Sequence, residues 1–207
     1  MYKHQLFISA SEMKNAVLVS DVKRCGWLNQ DPIYITYHDE EWGKPEYDNI
    51  RLFEMICLEG QQAGLSWITI LKKRENYRKL FFGFDPYKIM MLSESDQQEL
   101  IKSSNIIRHK GKINAIVNNA KCYVEMEKQG EDFSKFVWNF VTNKPVVNSW
   151  NEIKEIPTKT ETSESLSKAL KSKGFKFVGP TICYSFMQAC GLVNDHVKHC
   201  ICHKKYA

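Results

Sequence analysis

Two incomplete metal sites stand at opposite ends of this 207-residue chain. Near the start Cys25 is followed by His38, and near the end His196 and Cys200 are one helical turn apart. Two Cys and two His make a complete tetrahedral set for one structural zinc ion. If the halves meet, the early and late segments must close on each other around that ion. Such a staple does no chemistry itself and holds a site somewhere else.

The other cysteines narrow the setting. There are seven, an odd number, and several sit inside apolar runs. That argues against a disulfide framework and for a reducing, cytoplasmic environment. No apolar run reaches membrane-spanning length, and Met1–Ile8 is too short an apolar stretch for a signal peptide. Hydrophobic residues make up 43%, enough for one core, and the net charge of +5 permits a nucleic-acid partner without requiring one. Nothing in the chain suggests an obligate dimer, so a monomer is expected.

Helical periodicity dominates, and the expected class is all-α. Residues 1–22 read as an N-terminal extension and 23–207 as the body. The segment 32–37 is the one candidate extended stretch. Helices are expected over 49–60, 66–82, 109–127, 133–141 and 163–172. Another opens at a capping box of Ser95 with Gln98 and runs through Lys102. Residues 142–162 read as a long polar connection. Gly174 suits a left-handed helix end, and Pro180 suits the first turn of the next helix, which runs to Cys190. A tight hairpin, Lys173–Pro180, therefore joins two helices.

Leu52, Met55 and Ile56 form an apolar stripe whose next position is Glu59. A carboxylate there is costly unless paired or hydrogen-bonded. The segment Gly60–Trp67 reads as a glycine-broken turn carrying the polar amides of Gln61 and Gln62, an apolar tip at Leu65 and an aromatic plate at Trp67. Together with Trp27, Tyr34, Tyr37 and Trp42 it has the parts of a pocket with one acceptor among rings. The hairpin offers free amides around Gly179 and charge from Lys171, Lys173 and Lys176, which suit a DNA phosphate. Arg108-His109-Lys110-Gly111-Lys112 is a second basic stretch of the same kind.

The segments 24–27, 37–43, 52–67 and 174–179, with the ending Asn194-Asp195-His196 and Cys200, resemble the type I 3-methyladenine DNA glycosylases. The resemblance spans about residues 23–202. That family belongs to the helix-hairpin-helix DNA glycosylases. The resemblance implies an all-α glycosylase domain of two helical lobes, with a base pocket between them. It implies a zinc snap of Cys25, His38, His196 and Cys200 joining the N- and C-terminal regions. It places Glu59 in the pocket as the catalytic acidic residue, Tyr37 and Trp67 as stacking walls, and Trp27, Tyr34 and Trp42 nearby. Leu65 reads as a wedge into the duplex; Gln62, Lys176 and Gly179 read as further contacts to alkylated double-stranded DNA. Asp195 stands one place from the Asp that many helix-hairpin-helix glycosylases use, and is expected to orient the His196 ring. The hairpin has no lysine in a nucleophile position, so the implied enzyme is monofunctional. Two other readings stay open: a zinc-stapled helix-hairpin-helix protein that binds DNA without catalysis, and an RNA- or nucleoside-directed hydrolase using the same pocket.

Overall fold

The structure, a computed structural model, describes residues 22–206. The N-terminal extension lies almost wholly outside the described residues. The helices in chain order are α1 (Pro32–Glu40), α2 (Asn49–Gln62), α3 (Trp67–Leu71), α4 (Arg74–Leu80), α5 (Pro86–Ile89), α6 (Glu94–Lys102), α7 (Lys110–Lys128), α8 (Phe133–Trp138), α9 (Glu161–Ser172) and α10 (Pro180–Ala189). Two short strands, β1 (Val146–Val147) and β2 (Val193–Asn194), pair in parallel. The molecule is thus mainly helical, as expected. No described helix is long and apolar enough to cross a membrane.

Helix α2 is the central element. Asp48 caps it by accepting from the Arg51 amide at 2.9 Å. Of its expected stripe Leu52 and Ile56 are wholly buried and Met55 is half-buried, while Phe53 is wholly buried beside them; each fully buried side chain contributes about 1.5–3 kcal/mol by leaving water. Around it pack α10, α7 and α8.

Several local expectations fail, each for a physical reason. The segment 32–37 is helical, not extended: Asp31 caps it from Ile33 and Pro32 opens the first turn, which together outweigh its β-branched residues. The expected helix over 66–82 is two, α3 and α4, separated at Lys72 and Lys73. The capping box of α6 is Ser93 with Asp96, not Ser95 with Gln98. Helix α2 does not break at Gly60 but runs on to Gln62, and only Gly64 takes a positive φ, +78°. Gly60 answers a tertiary demand instead. A Cβ there would lie 3.2 Å from the Phe177 Cβ and 3.3 Å from its carbonyl oxygen. The hairpin between α9 and α10 therefore packs directly on the helix that carries Glu59. In that hairpin Gly174 is left-handed, with φ +91°, and Pro180 begins α10, as expected.

The connection 142–162 is tied down. The Val146 amide donates to Leu192 at 2.9 Å, the Asn148 amide to Asn194 at 3.1 Å, and the Lys198 amide to the Trp150 carbonyl at 2.9 Å. These bonds bind it to the segment that delivers His196.

Candidate active site and metal centre

A cavity of about 280 Å³ opens beside α2. Trp27, Tyr34, Tyr37, Trp42 and Trp67 line it with Glu59, so the structure gathers every expected pocket residue at one place. Helix α1 supplies Tyr34 and Tyr37 and helix α3 supplies Trp67. Tyr37 and Trp67 touch each other, with ring centroids 5.5 Å apart and planes at 47°. They form one angled wall, with Trp27 in contact with both Tyr34 and Trp42.

Glu59 is 2% exposed, and its Oε2 has no hydrogen-bond partner. Burial among rings, without a basic neighbour to offset it, pushes its pKa up to about 8. Two more buried polar atoms on the cavity, the Trp27 and Trp67 ring nitrogens, also lack partners. Orphaned buried groups are rare in folded proteins, and here three of them border a single cavity. The arrangement can accept hydrogen bonds from a flat polar ligand and lay aromatic faces against it.

Gln62 lies at the cavity edge, and the turn beyond it carries Leu65, 40% exposed. Lys176 is exposed at the hairpin and Gly179 is the N-cap of α10. Lys173 does not join them: its ammonium pairs with Glu131 at 2.6 Å and lies over the Phe136 ring. The second basic stretch is also smaller than its sequence implies, because Lys112 is buried and the His109 side chain caps α7.

Ser185 and Gln188 of α10 line the cavity too, and sequence reasoning missed both. Their spacing of three on a mainly apolar helix is the signal that marks them. Gln188 donates its amide to Asp195 at 2.8 Å. Asp195, wholly buried, also accepts from Tyr184 at 2.6 Å, Asn148 at 2.7 Å and Trp150 at 2.7 Å. Asp195 therefore does not orient the His196 ring: its oxygens are taken by α10 and the connection.

The metal half-sites meet. The donor atoms of Cys25, His38, His196 and Cys200 lie within 4.8 Å of one another, and all four residues are buried. Sulfur-to-nitrogen separations are 3.4 Å for Cys200 to His38 and 3.5 Å for His196 to each cysteine. A tetrahedral ion with Zn–S and Zn–N bonds of ordinary length requires edges of about 3.5 Å. Each ring is oriented by its other nitrogen: His38 Nδ1 lies 2.7 Å from Asp39, which a two-nitrogen Arg24 contact holds, and His196 Nε2 lies 2.8 Å from the Trp42 carbonyl. The thiols of Cys202 and Cys25 hold the Cys200 sulfur well below the usual thiol range, favouring the thiolate a metal binds. The cluster is a group that can hold a metal ion. His38 packs edge-on against Trp27 and His196 against Trp42, so the centre braces the cavity wall directly.

Comparison with known proteins gives a consistent result. Residues 27–203 match the family described as methyladenine glycosylase. The chain is 62% identical over 182 residues to DNA-3-methyladenine glycosylase 1 of Escherichia coli, covering 88% of this chain and 97% of that protein. A crystal structure of a 3-methyladenine DNA glycosylase I superposes with a TM-score of 0.87 at 60% identity, over 87% of this chain and all of the other. A variant of such an enzyme in complex with 3-methyladenine superposes with a TM-score of 0.83 at 42% identity, over 86% of this chain and 96% of that one.

Proposed function

Because the chain belongs to the methyladenine glycosylase family, we propose that its aromatic cavity is the base pocket of a DNA N-glycosidic bond hydrolase. The protein is a base-excision glycosylase acting on 3-methyladenine. In this reading it works as a monofunctional monomer on alkylated double-stranded DNA, inside a reducing compartment that keeps its seven thiols free.

A base within a duplex must leave the stack before its glycosidic bond can be attacked, at a cost of a few kcal/mol that is smaller for a damaged base. Methylation at N3 makes adenine cationic and already a good leaving group, so a strong general acid is not required. The pocket selects. Each aromatic face favours the cation by about 0.5–2 kcal/mol. Glu59 accepts hydrogen bonds from the base edge, and opposite charge strengthens them. Leu65 fills the gap the flipped base leaves. Water then adds to the sugar carbon as the N-glycosidic bond breaks; the bond's electron pair leaves with the base as neutral 3-methyladenine, and the water's proton passes to solvent.

The helix-hairpin-helix of α9 and α10 seats the DNA backbone. The Val178 and Gly179 amides bond no other group among the described residues, and Gly179 opens a ten-residue helix whose dipole favours a phosphate. Lys171 and Lys176 are exposed beside it. Zinc is the ion we assign to Cys25, His38, His196 and Cys200; it supplies a cross-link between the two ends of the described chain and takes no part in the reaction. In this reading the pocket lies between two helical lobes, and α2, which carries Glu59, packs against both α10 and α3.

The observation that carries this reading is the orphaned Glu59 carboxyl inside a ring-lined cavity. A DNA-binding module without catalysis has no use for it. The test is incubation with methylated duplex DNA followed by chromatography of released bases. Free 3-methyladenine is expected; binding without release would leave only the non-catalytic alternative, and release from nucleosides but not duplex would favour the nucleoside hydrolase.

A further inference from the structure

One buried cation stands outside the cavity lining. Lys112 of α7 is 5% exposed and makes no ion pair among the described residues. Its Nζ donates to the Gln61 carbonyl at 2.8 Å and the Ala63 carbonyl at 2.6 Å. The Gln61 side chain donates back to the Lys112 carbonyl at 2.9 Å and accepts from the Tyr77 hydroxyl at 3.2 Å. Burial without a counter-ion pushes the ammonium pKa down, so the placement works against the charge. What the charge meets is the end of α2, where carbonyls have no partner within the helix and a cation is favoured.

Just beyond Ala63 the chain reverses at the surface. Gly64 turns it with a positive φ and Leu65 projects outward. The turn's own bonds are few: the Leu65 amide donates to Gln62 at 2.6 Å, the Thr69 amide donates to the Ser66 carbonyl at 3.0 Å, and the Ser66 and Thr69 hydroxyls meet at 2.8 Å. The end of α2 is tied to the body by the Gln61 side chain and by Lys112, and of these Lys112 alone reaches Ala63 at the base of the turn. The same helix grips the hairpin. Asn118 donates to the Gly174 carbonyl at 2.8 Å, and Asn119 exchanges bonds with the Lys176 backbone at 3.1 and 2.8 Å. Helix α7 therefore holds two surface features through side-chain-to-backbone bonds, the Leu65 turn at one end and the hairpin farther along.

We propose that Lys112 is a positioning residue: it sets the Leu65 turn in register with the hairpin, so that the wedge enters the duplex as the hairpin seats the backbone. The proposal rests on Leu65 being the wedge. It separates two abilities, because Lys112 touches the end of α2 beyond Glu59 and does not line the cavity.

The test is a double-mutant cycle of Lys112→Met and Leu65→Ala, with two readouts: single-turnover excision from a methylated duplex, and affinity for free 3-methyladenine by tryptophan fluorescence. Lys112→Met is expected to slow duplex excision about 10-fold, as small misplacements of a working group do, while free-base affinity stays at the wild-type value. In the Leu65→Ala background it should have no further effect. Additive losses overturn the proposal while leaving the wedge intact; an inert Leu65→Ala removes the wedge and the proposal with it. A fall in free-base affinity in step with excision marks a merely structural role and also overturns it. If Lys112→Met does not fold, Lys112→Gln, which keeps a neutral donor, enters the same cycle.

Discussion

Glu59→Gln should make the free protein more stable while disabling it, and the gain should depend on pH in a defined way. Burial raises the Glu59 pKa from 4.5 to about 8. The folded state therefore binds this proton more tightly than the unfolded chain does. Below the unfolded value both states are protonated and the group costs nothing through ionisation. As pH rises through that value the unfolded chain ionises and the folded protein does not, so stability falls until the folded group titrates too, and then levels. With about 1.4 kcal/mol per pH unit, the loss reaches roughly 3 kcal/mol near neutrality and roughly 5 kcal/mol above the folded pKa. Glutamine does not titrate. The stability difference between variant and wild type should therefore climb across the window between 4.5 and about 8. Every other titrating group cancels in that difference, and any fixed cost of burying the amide shifts the curve without changing its slope. Urea unfolding of both proteins at several pH values, without base or DNA, measures it. Parallel curves would refute the claim that the carboxyl is desolvated in the native pocket. In parallel the variant should lose about 2- to 10-fold in affinity for free, uncharged 3-methyladenine, the worth of one neutral hydrogen bond, and more in excision of the cationic nucleotide; unchanged affinity and excision would remove Glu59 from the pocket's working parts.

Cys200→Ala should lower bound metal, read by native mass spectrometry, together with thermal stability, because a structural ion contributes folding free energy; unchanged stoichiometry rejects Cys200 as a ligand. Asp195→Ala should destabilise by about 2–3 kcal/mol in chemical denaturation, since it strands the buried Tyr184 hydroxyl and three half-buried donors at once; a loss below about 1 kcal/mol would mean those donors find other partners. Trp67→Leu should weaken binding of the cationic base about 2- to 30-fold by fluorescence titration, with duplex affinity little changed. Gly60→Ala places a methyl 3.2 Å from Phe177 and should weaken duplex binding more than free-base binding, because the hairpin must shift; equal losses in the two titrations would contradict that.

How much of the molecule is legible in its sequence depends on the range of the forces involved. Helix α2, its stripe and the carboxylate on it are local patterns, and so are the caps at Gly174 and Pro180. The Cys and His residues that meet as a metal-capable group are legible although His196 stands 158 positions after His38, because residue chemistry and completeness of the set identify them without a map of the chain. A periodicity argument misreads helix α1, because it weighs the β-branched residues above a cap and a proline, whereas Asp31 and Pro32 decide the geometry. Sequence proximity assigns Asp195 to its neighbour His196, but its partners come from α10 and the connection, contacts that no local spacing encodes. Lys112 reads as one more charge in a basic run. Its burial depends on the end of α2 arriving beside it, a purely tertiary event.

If Glu59 is the group that meets the base, its raised pKa makes the pocket's discrimination between a cationic base and a neutral one depend on pH. Near neutrality the carboxyl of the free protein is mostly protonated, since its pKa is about 8. A cationic base is best met by the carboxylate, and forming that anion costs about 1.4 kcal/mol for each pH unit below the folded pKa. Only a ligand that brings positive charge recovers this cost through the stronger hydrogen bonds and the field inside a dry cavity. Neutral adenine recovers nothing, so the carboxyl stays protonated and its ionisation adds no attraction. N3-methylated deoxyadenosine carries a fixed charge and does not itself change protonation over this range. Its excision at subsaturating enzyme should therefore quicken as pH rises toward about 8 and then flatten, while affinity for neutral adenine shows no such rise. Glu59→Gln should abolish the rise. A wild-type profile that is flat from about pH 6 to 9, or a rise that survives in the variant, would place the titrating group elsewhere and break the link between Glu59 ionisation and recognition of a charged base.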